Sequence, residues 1–144
     1  GLTFNIGALM GWAAVTGQLG WPALLLYIAG IAWTLGYDTI YAHQDKEDDA
    51  VIGIKSTALK FGEDSPKYVA GFYAMTSFLI LLTGAFLNAF WIFYVFWAAA
   101  SLHLIIQLNC WKLNDPLNSL KTFRANRDFG ILVLLALACA FFPA

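Results

Sequence analysis

The run YDTIYAHQDKEDD, residues 37–49, carries five of the chain's nine carboxylates: Asp38, Asp45, Glu47, Asp48 and Asp49. If one helix continues through it, at about 100° per residue, Asp45 and Asp49 fall within about 20° of Asp38, and Tyr41 lies about 60° away. Like charges on one helix face destabilise it by a few tenths of a kcal/mol. A charge beside an apolar phase costs more unless it is paired or bound to a metal. A divalent cation removes both penalties. Oxygen-only donors favour Mg²⁺, which keeps water and is usually shared between carboxylates and a phosphate. An acidic stripe at the mouth of an apolar bundle therefore suits a lipid diphosphate. The competing reading is a solvated acidic cap after a membrane helix.

Helices must position that stripe, and the composition supplies them. Of 144 residues, 60% are hydrophobic and 12% charged, against roughly 25% charged in an ordinary soluble domain. Twelve Phe, six Trp and six Tyr make the chain dense in aromatics. Apolar runs approach the roughly 20 residues that cross a bilayer. They are continuous rather than alternating, which favours helices over a barrel. The fold class is all-α integral membrane, a multi-helix transmembrane bundle, with apolar segments at 2–15, 21–43, 68–87, 90–111 and 129–142. Pro22 suits the first turn of the second segment, and Pro66, after Asp64 and Ser65, that of the third.

Two polar segments, 44–67 and 112–128, hold all eight basic residues: Lys46, Lys55, Lys60, Lys67, Lys112, Lys121, Arg124 and Arg127. Two spans separate these segments, so they share one side of the membrane. The opposite turns, TGQLG at 16–20 and LNA at 87–89, contain no Lys or Arg. The positive-inside rule makes the basic side cytoplasmic. Within it, IGIKSTALKFG (52–62) reads as a short interfacial helix stopped by Gly62. DPLNSLKTF (115–123) reads as a second, with Asn114 or Asp115 as cap and Pro116 in its first turn. So few basic residues, all at a membrane face, give no support for nucleic-acid binding. Cys110 and Cys139 read as small buried hydrophobes without metal or redox spacing. The start at Gly1, with no Met, polar lead-in or signal-peptide pattern, reads as a piece of a longer protein.

DTIYAHQDKEDD fits D-x-x-Y-A-x-x-D-x-x-x-D, and IGIKST follows it. This resembles the second aspartate-rich motif of the UbiA superfamily of membrane prenyltransferases, and GWAAVTG and FRANRDFG extend the resemblance over essentially the whole chain. It implies nine helices and two aspartate-rich motifs on cytoplasmic loops, with residues 1–144 as the C-terminal part of one such domain, five helices of the nine. It implies Mg²⁺-dependent transfer of a prenyl group from a polyprenyl diphosphate to an aromatic ring, with Mg²⁺ as cofactor. On that reading Asp38, Asp45 and Asp49 hold the metal, and Asp38 and Tyr41 act beside the acceptor. Lys55 meets the diphosphate, and Arg124, Asn126 and Arg127 bind the diphosphate or the acceptor carboxylate. Without the family, Lys55 reads equally well as a snorkelling lysine, and the arginines as positive-inside anchors.

Within the family the sequence resembles the branch that prenylates 4-hydroxybenzoate for ubiquinone, and the expected location is a bacterial inner membrane with the active-site loops cytoplasmic. Naphthoate, homogentisate, haem and chlorophyll precursors are the alternative acceptors within the family. The family's first aspartate motif is absent from these residues, so this chain by itself is expected to be inactive. A divalent-cation transporter subunit is the alternative of another class, but no carboxylate sits at mid-bilayer depth. His103 and Gln107, four residues apart, read as interhelical hydrogen-bonding groups at least as well as functional ones.

Overall fold

Pro22 in the first turn and an extended Gly20 before it start α3 (Trp21–Ala42), the first long helix in a computed structural model that describes residues 1–141, apart from the side chains of Glu47 and Asp48. Two short helices precede it, α1 (Leu2–Asn5) and α2 (Gly7–Thr16). After it come α4 (Lys46–Ile52), α5 (Thr57–Phe61) and a 3-10 turn at Gly62–Asp64. Three more long helices complete the described chain: α6 (Ser65–Phe86), α7 (Trp91–Cys110) and α8 (Pro116–Ala138). No strand occurs among the described residues. Three stretches are long and apolar enough to cross a membrane: Trp21–Ala42, Thr57–Phe86 and Trp91–Cys110. The chain is an all-helical membrane protein.

The four long helices form a ring, α3 on α6, α6 on α7, α7 on α8, and α8 back on α3, while α1 and α2 lie on α3. In lipid, helices associate through close packing and hydrogen bonds rather than hydrophobic exclusion, so small residues gather at the contact. That is the α3–α6 seam. Ala29, Ala32, Gly36 and Thr39, three or four residues apart, meet Val69, Tyr73, Thr76 and Ile80, all buried. Gly36 is required by close approach, because a Cβ there would stand 2.5 Å from the Tyr73 ring. Thr76 Oγ1 donates to the Phe72 carbonyl of its own helix (2.8 Å) and lies 3.3 Å from the Ala29 carbonyl across the seam.

Turn chemistry sets the antiparallel order. Asn88 at the end of α6 takes φ 49°, with Ala89 N–H on the Gly84 carbonyl (2.9 Å) and Asn88 N–H on that of Ala85 (3.2 Å). This Schellman arrangement turns the chain into α7. At the same end of the bundle, Phe90 N–H reaches the Ala140 carbonyl (3.0 Å). The opposite end gathers the C-termini of α3 and α7 and the N-termini of α6 and α8. His43 bonds Ser65, and Trp111 bonds Ser119.

Several boundaries differ from the sequence reading. The segment expected at 129–142 begins at Pro116, so the expected loop 112–128 is mostly helix; residue 142 lies outside the described residues. Between Pro116 and Asp128 there is no Gly or further Pro, and Arg, Ala and Lys there favour helix. Asp115 caps this helix, its carboxylate accepting from Asn118 N–H at 3.0 Å. The expected loop 44–67 contains α4, α5 and the 3-10 turn, and α6 starts three residues before 68. Gly62 does stop α5, at φ 52°. The segment at 2–15 is two helices meeting at Ile6.

Most consequential for the acidic run, one helix does not continue through residues 37–49. The last turn of α3 tightens, with His43 N–H on the Ile40 carbonyl (3.2 Å) and Gln44 N–H on that of Tyr41 (2.8 Å). Such three-residue bonds end a helix, and α4 restarts at Lys46.

Candidate active site

The acidic run is thus a helix end, a turn and a short second helix. Asp38 is exposed on the last full turn of α3, Asp45 is the N-cap of α4, and Asp49 lies within α4. The intervening turn removes the single-stripe alignment, and among the described residues no three His, Cys, Asp or Glu side chains are grouped to cage a metal. Asp49 and Lys55 share one cleft of about 490 Å³, also lined by Gly53, Ser56 and Lys60. Gly53, at φ 79°, makes the turn between them, while the Asp49 carbonyl accepts from Ile54 N–H (2.9 Å).

His43 holds this region to the bundle. Ser65 Oγ donates to the Gly62 carbonyl (2.8 Å) and lies 2.8 Å from Nε2 of His43. The ring is 3% exposed and meets Trp111 edge-on at 5.3 Å. Burial lowers the imidazole pKa from its ordinary value to about 4, and the nearby Lys46 charge acts in the same direction.

Inward from the turn, an aromatic row follows the α3–α8 contact. Tyr41 lies 4.9 Å from Phe123, Tyr37 5.7 Å from Phe123 and 5.2 Å from Trp33, and Trp33 5.1 Å from Phe129. Trp33, Tyr37 and Tyr41 are spaced by four, so they follow one side of α3 for about 12 Å at 1.5 Å per residue. The sequence reading isolated Tyr41 only. The regular spacing of its two aromatic neighbours is the signal that reveals the row.

Beside the row is a polar network inside the ring of helices. Trp33 Nε1 donates to Asn126 Oδ1 (2.8 Å), Tyr73 Oη to Gln107 Oε1 (2.8 Å), and Gln107 Nε2 to the Thr122 carbonyl (3.0 Å). His103 Nε2 meets the Ala125 carbonyl (3.0 Å). His103 and Gln107 are therefore interhelical ties. Asn126 is 5% exposed, and its Nδ2 donates to the Thr122 and Phe123 carbonyls (3.3 and 3.2 Å). Its amide is thus occupied on both sides within the bundle.

Arg124 and Arg127 are exposed on α8, and Arg127 pairs with the adjacent Asp128 at 3.0 Å. Because α8 starts at Pro116, Arg127 stands about 16 Å along the helix from its first residue. Reading 112–128 as a loop hid this placement.

The UbiA prenyltransferase family matches residues 1–132. A mitochondrial 4-hydroxybenzoate polyprenyltransferase of Dictyostelium discoideum is 46% identical over 136 residues, covering 94% of this chain and 29% of that protein. The proteins of the same name from Bos taurus and Homo sapiens are 45% and 41% identical over 138 residues, each covering 95% of this chain and 37% of theirs. The chain thus spans about a third of the length of these relatives. No solved structure matches it. The expected bacterial inner membrane is overturned, because these relatives are mitochondrial proteins of eukaryotes. An acidic motif and basic loops mark a membrane face, not a cell type. With the family match over nearly all of its length, the chain belongs to the UbiA prenyltransferase family.

Proposed function

We propose that the protein containing this chain transfers a prenyl group from a polyprenyl diphosphate to 4-hydroxybenzoate, in ubiquinone synthesis, in the mitochondrial inner membrane. The observation that carries this reading is the acidic turn at the basic end of an apolar bundle, with Asp49 and Lys55 on one cleft. The side assigned as cytoplasmic from charge then corresponds to the organelle's interior.

The donor set suits Mg²⁺ in kind, since Asp38, Asp45 and Asp49 offer hard oxygens. They are not grouped into a cage among the described residues, so Asp38, Asp45 and Asp49 would hold an ion from separate positions, with its remaining positions left to water and the diphosphate. Such an ion, when bound, neutralises the diphosphate so that it can leave. Lys55 binds a diphosphate oxygen, and Arg124 and Arg127 supply further positive charge to the diphosphate or the acceptor carboxylate. The allylic C–O bond breaks, diphosphate departs, and the ring carbon ortho to the phenol forms the new C–C bond and loses its proton. Tyr41 presents its ring to the cation-like allyl carbon. Asp38, beside it, orients the acceptor. Both metal sites of the family are needed for turnover, so the 144 residues alone, without the first aspartate motif, do not catalyse transfer.

The full-length protein in vesicles, given a labelled polyprenyl diphosphate, Mg²⁺ and a panel of acceptors, tests this reading. Labelled prenyl-hydroxybenzoate that disappears with EDTA is the expected product. Preference for homogentisate or a naphthoate would reassign the acceptor, and no transfer to any acceptor would defeat the proposal.

A further inference from the structure

Asn126 is the member of the polar network that reaches α3. Its orientation is settled chemically: an indole N–H only donates, so the amide atom 2.8 Å from Trp33 Nε1 is the oxygen. The hydroxyl proton of Tyr73 goes to the nearer acceptor, Gln107 Oε1 at 2.8 Å rather than Asn126 Oδ1 at 3.2 Å. The Trp33–Asn126 bond is therefore the direct polar link from α8 to the aromatic row. At its other edge the Trp33 ring contacts Tyr37, the residue preceding Asp38. Gln107 belongs to the same network but ties α7 to Tyr73 and to the α8 backbone, with no bond to α3.

We propose that Asn126 is a positioning residue for prenyl transfer: by holding the Trp33 indole it sets the aromatic row that runs through Tyr37 to Tyr41. This rests on the proposed transfer activity. It replaces direct substrate binding by Asn126 with action through Trp33. Reacting groups misplaced by about 1 Å lose up to about 100-fold in rate, so a lost register is read in kcat.

The test compares Asn126→Leu, Trp33→Phe, the double variant and Gln107→Leu in the full-length enzyme, each with kcat, both KM values and thermal unfolding. Asn126→Leu and Trp33→Phe are expected to lower kcat about tenfold with both KM values within about twofold. The double variant is expected to match either single one, because both remove the same bond. Gln107→Leu is expected to lower the unfolding temperature while kcat stays within about twofold. Trp33→Phe keeps the ring and guards against failure of Asn126→Leu to fold. Equal kcat losses in Gln107→Leu, additive losses in the double variant, or unchanged kcat in Trp33→Phe would each overturn the inference. A wild-type enzyme without transfer would instead defeat the reading beneath it.

Discussion

Lys55 and His43 stand in opposite settings in the acidic region, one exposed on a cleft and the other buried. Lys55 stands exposed on the Asp49 cleft, where its ammonium is available to a diphosphate. Losing one charge-assisted contact costs about 1.5–3 kcal/mol. Lys55→Ala should therefore raise KM for the prenyl diphosphate at least about tenfold, and Lys55→Arg should retain most of the affinity; steady-state kinetics of the full-length enzyme checks both. His43 is scaffold, buried against Ser65 and Trp111. Its imidazole titrates near 4 in the folded chain and near about 6.5 unfolded. Between those values the unfolded chain binds more protons, so His43's contribution is complete above about pH 6.5, falls as pH drops through the window, and is flat below about 4. Thermal unfolding in detergent at about pH 7.5 and 5, without Mg²⁺, should show this loss in the wild type and a smaller one in His43→Gln.

At the scale of elements, two local devices set the site's frame. Asp115 caps α8 through Asn118 N–H, and Asp115→Ala should destabilise the bundle by about 1 kcal/mol, read as a lower unfolding temperature. Gly36 lets Tyr73 cross α3, and Gly36→Leu should cost about 1–3 kcal/mol or more by forcing the seam apart, seen as lost thermal stability and lost transfer together. Much of this frame was legible in the sequence: Pro22, Gly62 and Asp115 announced helix ends because backbone chemistry at those positions is local. The continuous α8 was not, since its polar first half resembles a loop in charge content although it lacks Gly and further Pro, and its contacts with α7 and α3 are not readable from composition. The break after Ala42 was equally hidden. Helical periodicity through 37–49 favours a stripe, and the break depends on His43 meeting a serine 22 residues away. The place of Asn126 was hidden for the same reason: its neighbours Arg124 and Arg127 face outward, and its own partner, Trp33, is 93 residues distant.

At the scale of the molecule, the antiparallel ring places the acidic turn, the basic segments and the N-terminus of α8 at one end, and the Asn88 turn with the end of α8 at the other. Cys110 and Cys139 close α7 and α8 at those opposite ends. A membrane-impermeant thiol reagent applied to sealed inner-membrane vesicles of known orientation should therefore modify Cys110 from the basic side only, and Cys139 from the other side only. Labelling of both from one side would refute the ring's orientation. The central claim is that the acidic turn binds the diphosphate and makes transfer possible. Its most direct measurement is Mg²⁺-dependent transfer of a labelled prenyl group to 4-hydroxybenzoate by the full-length enzyme, wild type against Asp38→Ala and Asp45→Ala, normalised to folded protein. The account expects each variant to lose at least about 100-fold. Full activity in both would contradict it and leave YDTIYAHQDKEDD a solvated cap at the end of a membrane helix.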